Sequence, residues 1–218
     1  KNITPSPCVL NSMLFRYIFL FKKKNNIMPP KSPTKVRAAE RSSECYMPIW
    51  ATLWAIVGSL VCIWDATYVL TRPRSMANGD LFHIFVPYAK YITVDPLYGD
   101  LKNAFVIGQS YMNLIELTLA LLSVVVYHLF GRRNFGCVLL LISSVMTWSK
   151  TVLYFIHDHF ERSLHPQESP IHVELWEKLL LFIVPSSFWV ILPFACMWSI
   201  SRQILRLLNS NNGKTKTN

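Results

Sequence analysis

The stretch AFVIGQSYMNLIELTLALLSVVVYHLF, residues 104 to 130, decides the fold because it is long and apolar enough to cross a bilayer as one helix. It also carries a carboxylate, Glu116, near its middle. Gln109, Asn113 and Glu116 are spaced at i, i+4 and i+7, so they share one helical face. A charged side chain at the bilayer centre costs about 2.5 to 3.5 kcal/mol on insertion scales. We therefore expect this face to meet a partner, a cavity or a ligand.

The composition indicates one polytopic membrane domain. Of the 218 residues, 52% are hydrophobic and only 16% are charged, and the mean hydropathy is +0.30, which is too apolar for an ordinary soluble domain. The net charge of +10 could suggest nucleic acid, but the Lys and Arg residues lie in the tails and short loops, as membrane topology requires. We predict no nucleic-acid partner.

Four stretches reach spanning length and predict an all-α bundle of four transmembrane helices. The expected spans are about 48–70, 104–130, 135–156 and 179–200 within a membrane domain of residues 47–207. Residues 1–46 are expected to form a disordered basic tail. Because Met28 opens a plausible start, two interpretations of residues 1–27 are open: they are untranslated sequence outside the native protein, or they belong to a longer gene product.

The distribution of Lys and Arg predicts the orientation of the spans. The N-terminal tail, the turn at Arg132 and Arg133 and the tail at 208–218 hold most of the positive charge, so both termini are expected to be cytosolic. Lys214 and Lys216 have the spacing of a dilysine retrieval signal to the endoplasmic reticulum. The alternative is a solvated polar tail.

Polar groups on all four spans are predicted to share one pocket. At about 1.5 Å per residue, they lie roughly 7 to 18 Å from the non-cytosolic face. They are Asp65, Gln109, Asn113, Glu116, Lys150, Ser186 and Trp189. On the third span, Ser143, Thr147, Lys150, Tyr154 and His157 extend this polar face.

Asp65, Glu116 and Lys150 allow two interpretations. They could form a neutralised ion network that fixes helix packing, or they could line a pocket in which a carboxylate meets a ligand. Two carboxylates facing one lysine leave one negative charge over, which would attract a cationic ligand.

Other polar residues are expected to have structural or solvated roles. Asp95, which precedes Pro96, can cap the segment that follows. The loop from His157 to Lys178 is acidic and rich in histidine, but its spacing matches no tight metal-ligand pattern. Since the five cysteines show no CxxC pair and no nucleotide motif is present, we expect no metal site, disulfide framework or cofactor.

From about Trp50 to Leu207, the chain resembles the EXPERA family, which includes the emopamil-binding sterol Δ8-Δ7 isomerases and the sigma-2 receptor. Four short motifs carry the resemblance. They are Trp64-Asp65-Ala-Thr-Tyr68, Tyr88-Ala-Lys-Tyr91 followed by Asp95-Pro96-Leu97, Asn113-Leu-Ile-Glu116-Leu, and Trp189 with Pro193. Their order across four spans makes the set more specific than each motif alone.

The resemblance implies a bundle in the endoplasmic-reticulum membrane whose pocket takes sterols and amphipathic amines. Asp65 and Glu116 would face the ligand's positive charge and are the candidate catalytic acids. Trp189 would suit a cation through its ring. Gln109, Asn113, Lys150, Tyr154 and Ser186 complete the expected ligand-binding set, and Pro193 is expected to be structural.

Two departures from the isomerase pattern favour binding over catalysis. Val61 stands where the isomerases carry a histidine, and Lys150 would hold a neighbouring carboxylate ionised. The leading hypothesis is therefore a binder of sterol or amphipathic amine in contact with membrane lipid. A sterol isomerase and a trafficking or scaffold partner of another membrane protein are the alternatives, and a homodimer is left open.

Overall fold

The computed structural model describes residues 44–164 and 174–215. Within these ranges the chain is helical and has no strand, so the predicted all-α fold is confirmed. The expectations for residues 1–43, for Lys216 and for residues 165–173 of the histidine-rich loop concern positions outside the described residues.

Four helices in the described part of the chain are long and apolar enough to cross a membrane, as the sequence predicts. The helices in chain order are α1 (Ile49–Leu70), α2 (Tyr88–Val94), α3 (Ala104–His128), α4 (Arg133–Leu164), α5 (Leu175–Lys178) and α6 (Val184–Thr215), with a π-helical turn at Leu179–Ile183 between α5 and α6. Short 3-10 helices at Phe82–Ile84 and Pro96–Tyr98 flank α2.

Two helices extend beyond the predicted spans. Helix α4 continues eight residues past 156, so His157, which was expected to begin a loop, lies on the helix and stacks on Phe105 at 3.9 Å between ring centroids. Helix α6 continues to Thr215, through most of the predicted C-terminal tail. Helical spacing can carry polar residues past the membrane boundary, and a hydropathy window cannot detect that continuation.

Local chemistry explains where the helices begin and turn. The side chain of Asn103 caps α3 by accepting a hydrogen bond from the Val106 amide at 3.0 Å. Gly131, in the turn between α3 and α4, has a φ of 64°, a left-handed conformation that glycine adopts at little cost. The tight turn at Gly131 lets α3 and α4 pack side by side and antiparallel.

Helix α3 is the central helix of the bundle. It packs against α1 on one side and α4 on the other, and α4 packs against α6. Gly136 lets α4 approach closely, since a Cβ there would lie 2.7 Å from the Tyr127 Cβ. Helices α1 and α6 contact each other much less than α1 contacts α3 or α6 contacts α4.

The end of the predicted N-terminal tail is ordered, which corrects the expected boundary at residue 46. The backbone amide of Cys45 donates to Asn134 Oδ1 at 2.7 Å, and the amide of Met47 donates to the Tyr127 hydroxyl at 3.0 Å. Both side chains are 2% exposed. Because these bonds reach helices distant in sequence, Glu44–Met47 forms a strap across one end of the bundle. This is the end that the charge distribution predicts to be cytosolic.

At the opposite end, aromatic side chains pack the loop between α1 and α3 onto the bundle. Tyr68 stacks on Tyr88 with ring centroids 3.8 Å apart and planes 7° apart. Arg72 donates through its Nη1 to the backbone oxygens of Tyr98 and Asp100 at 2.8 and 2.9 Å. The loop thus forms a fixed cap at the end of the bundle where the polar groups lie.

Candidate functional site

The larger cavity of the described structure has a volume of about 320 Å³ and lies among all four long helices and the loop cap. Its lining contains seven of the eight predicted ligand-binding residues, namely Asp65, Gln109, Asn113, Lys150, Tyr154, Ser186 and Trp189. The sequence-based comparison of depths therefore selected side chains that do converge on one space.

Asp65 is the carboxylate of this cavity and is held by three neutral donors. The Tyr88 hydroxyl donates to its Oδ1 at 2.7 Å, while the Tyr98 hydroxyl and Asn113 Nδ2 donate to its Oδ2 at 3.2 and 3.1 Å. Each of these bonds stabilises the ionised form of the carboxyl group. Among the described residues, no cation is in direct contact with the Asp65 carboxyl group.

Glu116 lies behind the larger cavity, not in its lining, which corrects the prediction that it faces the ligand there. Its Oε1 accepts a hydrogen bond from Lys150 Nζ at 3.0 Å, and the pair is buried, with side chains 4% and 13% exposed. Lys150 Nζ also donates to Asn113 Oδ1. The predicted counter-charge is therefore paired directly with Glu116 and reaches Asp65 only through Asn113.

A second, much smaller cavity of about 20 Å³ adjoins Glu116. Cys62 and Trp189 line both cavities and so form the wall between them. The Trp189 Nε1 donates to Cys62 Sγ at 3.4 Å, and its ring packs edge-on against Trp54 at 5.3 Å between centroids. These contacts fix the orientation of the indole that was predicted to meet a cation.

Gln109 is available to a ligand at the larger cavity. Its Oε1 is buried and has no hydrogen-bond partner among the described residues. An unpaired buried acceptor costs about 1 to 3 kcal/mol, so a ligand hydroxyl or ammonium that donates to it would be favoured.

Asp95 is held by tyrosines. Its side chain makes no capping bond to the 3-10 helix that begins at Pro96, which corrects that expectation. Instead, Asp95 Oδ2 accepts from the hydroxyls of Tyr154 and Tyr91 at 2.6 and 3.1 Å. Asp95 is fully buried, and its hydrogen bond from Tyr154 ties the loop cap to α4, consistent with a structural role.

Pro193 lies inside α6, where the missing amide loosens the turn that contains Trp189.

The loop tyrosines were missed as site residues by reasoning from the sequence. Tyr88, Tyr91 and Tyr98 line the larger cavity, although they lie outside the spans from which the pocket was predicted. Burial, and after it the charge of Asp65, raises the pKa of the Tyr88 and Tyr98 hydroxyls above their usual range. They therefore remain hydrogen-bond donors to Asp65. The Tyr-x-x-Tyr spacing was visible in the sequence. The sequence did not show that the loop folds back onto the bundle far enough for these tyrosines to reach Asp65.

Apolar side chains around the start of α6 form the wall facing α2. Leu181, Phe182 and Pro185 line the larger cavity next to the π-helical turn. Pro185 cannot donate to the carbonyl four residues earlier, and its ring crowds that carbonyl, which accounts for the wider turn. Outside the cavity, Lys90 and Glu177 pair at 2.6 Å and join α2 to α5.

The side chains that line the larger cavity are suited to binding a ligand that is apolar over most of its surface and polar at one end. An apolar aromatic wall meets one polar side that contains a carboxylate, a paired lysine and two amides. Among residues 44–164 and 174–215, no group of three or more His, Cys, Asp or Glu side chains is placed to hold a metal ion.

No family model, curated protein or solved structure matches the chain.

Proposed function

We propose that this multi-pass membrane protein binds a sterol-like or amphipathic cationic ligand in the larger cavity. The observation that carries the proposal is the position of Asp65, a carboxylate paired only with neutral donors in the described structure, at the polar side of an apolar cavity. An ammonium group placed there would gain a charge-assisted hydrogen bond, while the apolar remainder of the ligand would cover aromatic and aliphatic walls.

The size and position of the cavity suit such a ligand. Its volume of about 320 Å³ falls within the range of roughly 300 to 1,000 Å³ that is usual for small-molecule sites. Val61 of α1 and Pro185 of α6 both line the cavity and are exposed. Because α1 and α6 contact each other little, a ligand dissolved in the bilayer could enter between them.

The test is ligand binding to purified protein in detergent, with a labelled sterol and an amphipathic tertiary amine as probes. Replacing Asp65 with Asn should weaken amine binding about tenfold or more, because a charge-assisted hydrogen bond is worth about 1.5 to 3 kcal/mol. Asp80→Asn is the matched control, since Asp80 is exposed and pairs with Arg74 away from the cavity. Unchanged amine affinity in a folded Asp65→Asn variant would refute the proposal.

Membership of the EXPERA family, residence in the endoplasmic reticulum and a link to sterol or lipid metabolism are part of the proposal and rest on the motif resemblance. The cytosolic placement of both termini rests on the Lys and Arg distribution. A glycosylation acceptor site inserted into the loop at 76–80 should be modified in microsomes, whereas the same site inserted at 129–132 should not. The reverse pattern would overturn the orientation.

Sterol isomerisation is supported less by this geometry than binding is. A Δ8-Δ7 shift needs a proton donor against the substrate, but Asp65 accepts three hydrogen bonds that favour its ionised form, and Glu116 lies behind the cavity. Complementation of a yeast strain that lacks this isomerase distinguishes the two functions. We expect no complementation by well-expressed protein, and growth would establish catalysis.

A further inference from the structure

The small cavity beside Glu116 has the size of a site for one small occupant. Its volume is about 20 Å³, and one water-sized probe needs roughly 10 to 15 Å³. The cavity lies between α1, α3 and α4, and Cys62 and Trp189 separate it from the larger cavity. It is lined by four hydroxyl side chains, namely Ser59, Ser143, Ser144 and Thr147, in addition to Glu116.

Each of the four hydroxyls lies within hydrogen-bond distance of a backbone carbonyl oxygen to which it can donate its hydrogen. Ser59 donates to the Ala55 carbonyl at 2.6 Å, Ser144 to the Leu140 carbonyl at 2.7 Å, and Thr147 to the Ser143 carbonyl at 3.0 Å. Ser143 donates across to the Glu116 carbonyl at 3.0 Å. A hydroxyl has one hydrogen and two lone pairs, so these groups can offer an occupant only acceptor oxygens.

The carboxylate adds a further acceptor and a charge. Glu116 is 3% exposed, and its Oε2 is buried without a hydrogen-bond partner among the described residues. The Thr147 hydroxyl lies beside this carboxylate, but its hydrogen is donated to the Ser143 carbonyl. Lys150 is bonded to the other oxygen, Oε1. With the Thr147 hydrogen donated to Ser143, one oxygen of this buried carboxylate has no hydrogen-bond partner among the described residues.

A cation fits this lining best, because it accepts electron pairs from oxygen atoms and needs no hydrogen-bond donor. A water molecule could donate two hydrogens, but its own lone pairs would meet no donor among the four hydroxyls. Glu116, Asp65 and Lys150 together carry one surplus negative charge when all three are ionised, which one monovalent cation would neutralise. A divalent cation would leave the group positive and usually requires more carboxylates.

We propose that the small cavity binds one dehydrated sodium ion, coordinated by Glu116 and the surrounding hydroxyl oxygens. This site goes beyond the proposed ligand function and does not depend on it. It also departs from the sequence-based expectation of no metal site, because hydroxyl groups on different helices cannot be recognised as a ligand set from their spacing along the chain.

The test is thermal unfolding of the purified protein in detergent, without any organic ligand, in sodium, potassium and choline chloride at equal ionic strength. A ligand that binds only the folded state raises the midpoint, and a concentration some tenfold above Kd should raise it by about 3 °C. We expect this increase in sodium relative to choline, with a smaller increase in potassium because the cavity is small.

Variants assign the effect to the cavity. Ser144→Ala removes one acceptor oxygen and should reduce the sodium increase by more than about half, and Glu116→Gln should abolish it. Ser123→Ala is the matched control, because Ser123 is equally buried and donates to the Ala120 carbonyl, but does not line the cavity. If Glu116→Gln does not fold, Ser144→Ala still decides the result.

Two outcomes would overturn the proposal. Equal midpoints in sodium and choline would mean that the cavity holds water only. A sodium effect that is the same in the Ser144→Ala and Ser123→Ala variants would place any bound cation elsewhere.

Discussion

The two ends of the helix bundle are packed in different ways, and the difference explains where a ligand can bind. At the end crossed by the strap, small side chains fill the core, among them Ala51, Ala55, Ala120, Cys137 and Cys196. At the end covered by the loop cap, the core consists largely of aromatic rings, including Tyr68, Phe85 and Tyr88. Small residues let helix backbones approach closely, whereas rings hold them apart.

Polar groups follow the same division. The hydrogen bonds of the strap satisfy the backbone amides of Cys45, Tyr46 and Met47. Among the described residues, the core of that end contains no buried charged side chain. At the loop end, Asp65, Glu116, Lys150 and Asn113 form one connected network around the two cavities. We infer that the strap end gives stability and the loop end gives recognition, and four substitutions test this division.

The largest expected effect is at the loop end. Replacing Lys150 with Met leaves Glu116 buried without its cation, which should lower the free energy of unfolding by about 3 to 5 kcal/mol. The measurement is chemical unfolding in mixed micelles. The double variant Lys150→Met/Glu116→Gln removes the stranded charge and should recover most of this loss. If the double variant is as unstable as the single one, packing and not charge explains the effect.

A substitution at the strap end should destabilise the protein without touching ligand binding. A Cβ at Gly136 would lie 2.7 Å from the Tyr127 Cβ and 3.0 Å from the Ser123 carbonyl oxygen. Gly136→Val should therefore cost about 1 to 3 kcal/mol by overpacking. Gly108→Ala on α3 is the control, because a Cβ added there would meet no atom within 4 Å, and it should be neutral or stabilising. A loss of amine affinity in folded Gly136→Val protein would contradict the division.

The hydrogen bonds of the strap should contribute less. Asn134 accepts from the Cys45 amide at 2.7 Å, but the Asn134 side chain is exposed, so water can partly replace it. Asn134→Ala should therefore cost about 1 kcal/mol and should increase hydrogen exchange at Cys45 more than at residues of the loop cap. Equal changes at both ends would show that the two ends unfold as one unit.

The sequence was sufficient to predict the four spanning helices and seven of the residues that line the larger cavity, for a physical reason. Spanning helices must be long and apolar, so hydropathy identifies them, and a regular rise per residue places Asp65, Gln109 and Lys150 at similar depth. Glu116 was misplaced because depth does not say which way a side chain turns between two neighbouring cavities. The loop tyrosines and the strap were missed because their positions depend on contacts with distant residues such as Asp65 and Tyr127, which no local pattern contains.

The smallest expected effect concerns the ion pair outside the larger cavity. Lys90 and Glu177 join α2 to α5 at 2.6 Å, but the Lys90 side chain is 57% exposed, and such pairs contribute only about 0.2 to 1 kcal/mol. Lys90→Gln should lower stability within this range at low salt and by less at high salt, since screening weakens exposed pairs. Arg74→Gln, which breaks an exposed pair with Asp80 inside the loop, is the control. A Lys90→Gln effect that exceeds the Arg74→Gln effect and persists at high salt would mean that the closure of α2 against α5 contributes to stability at the loop end.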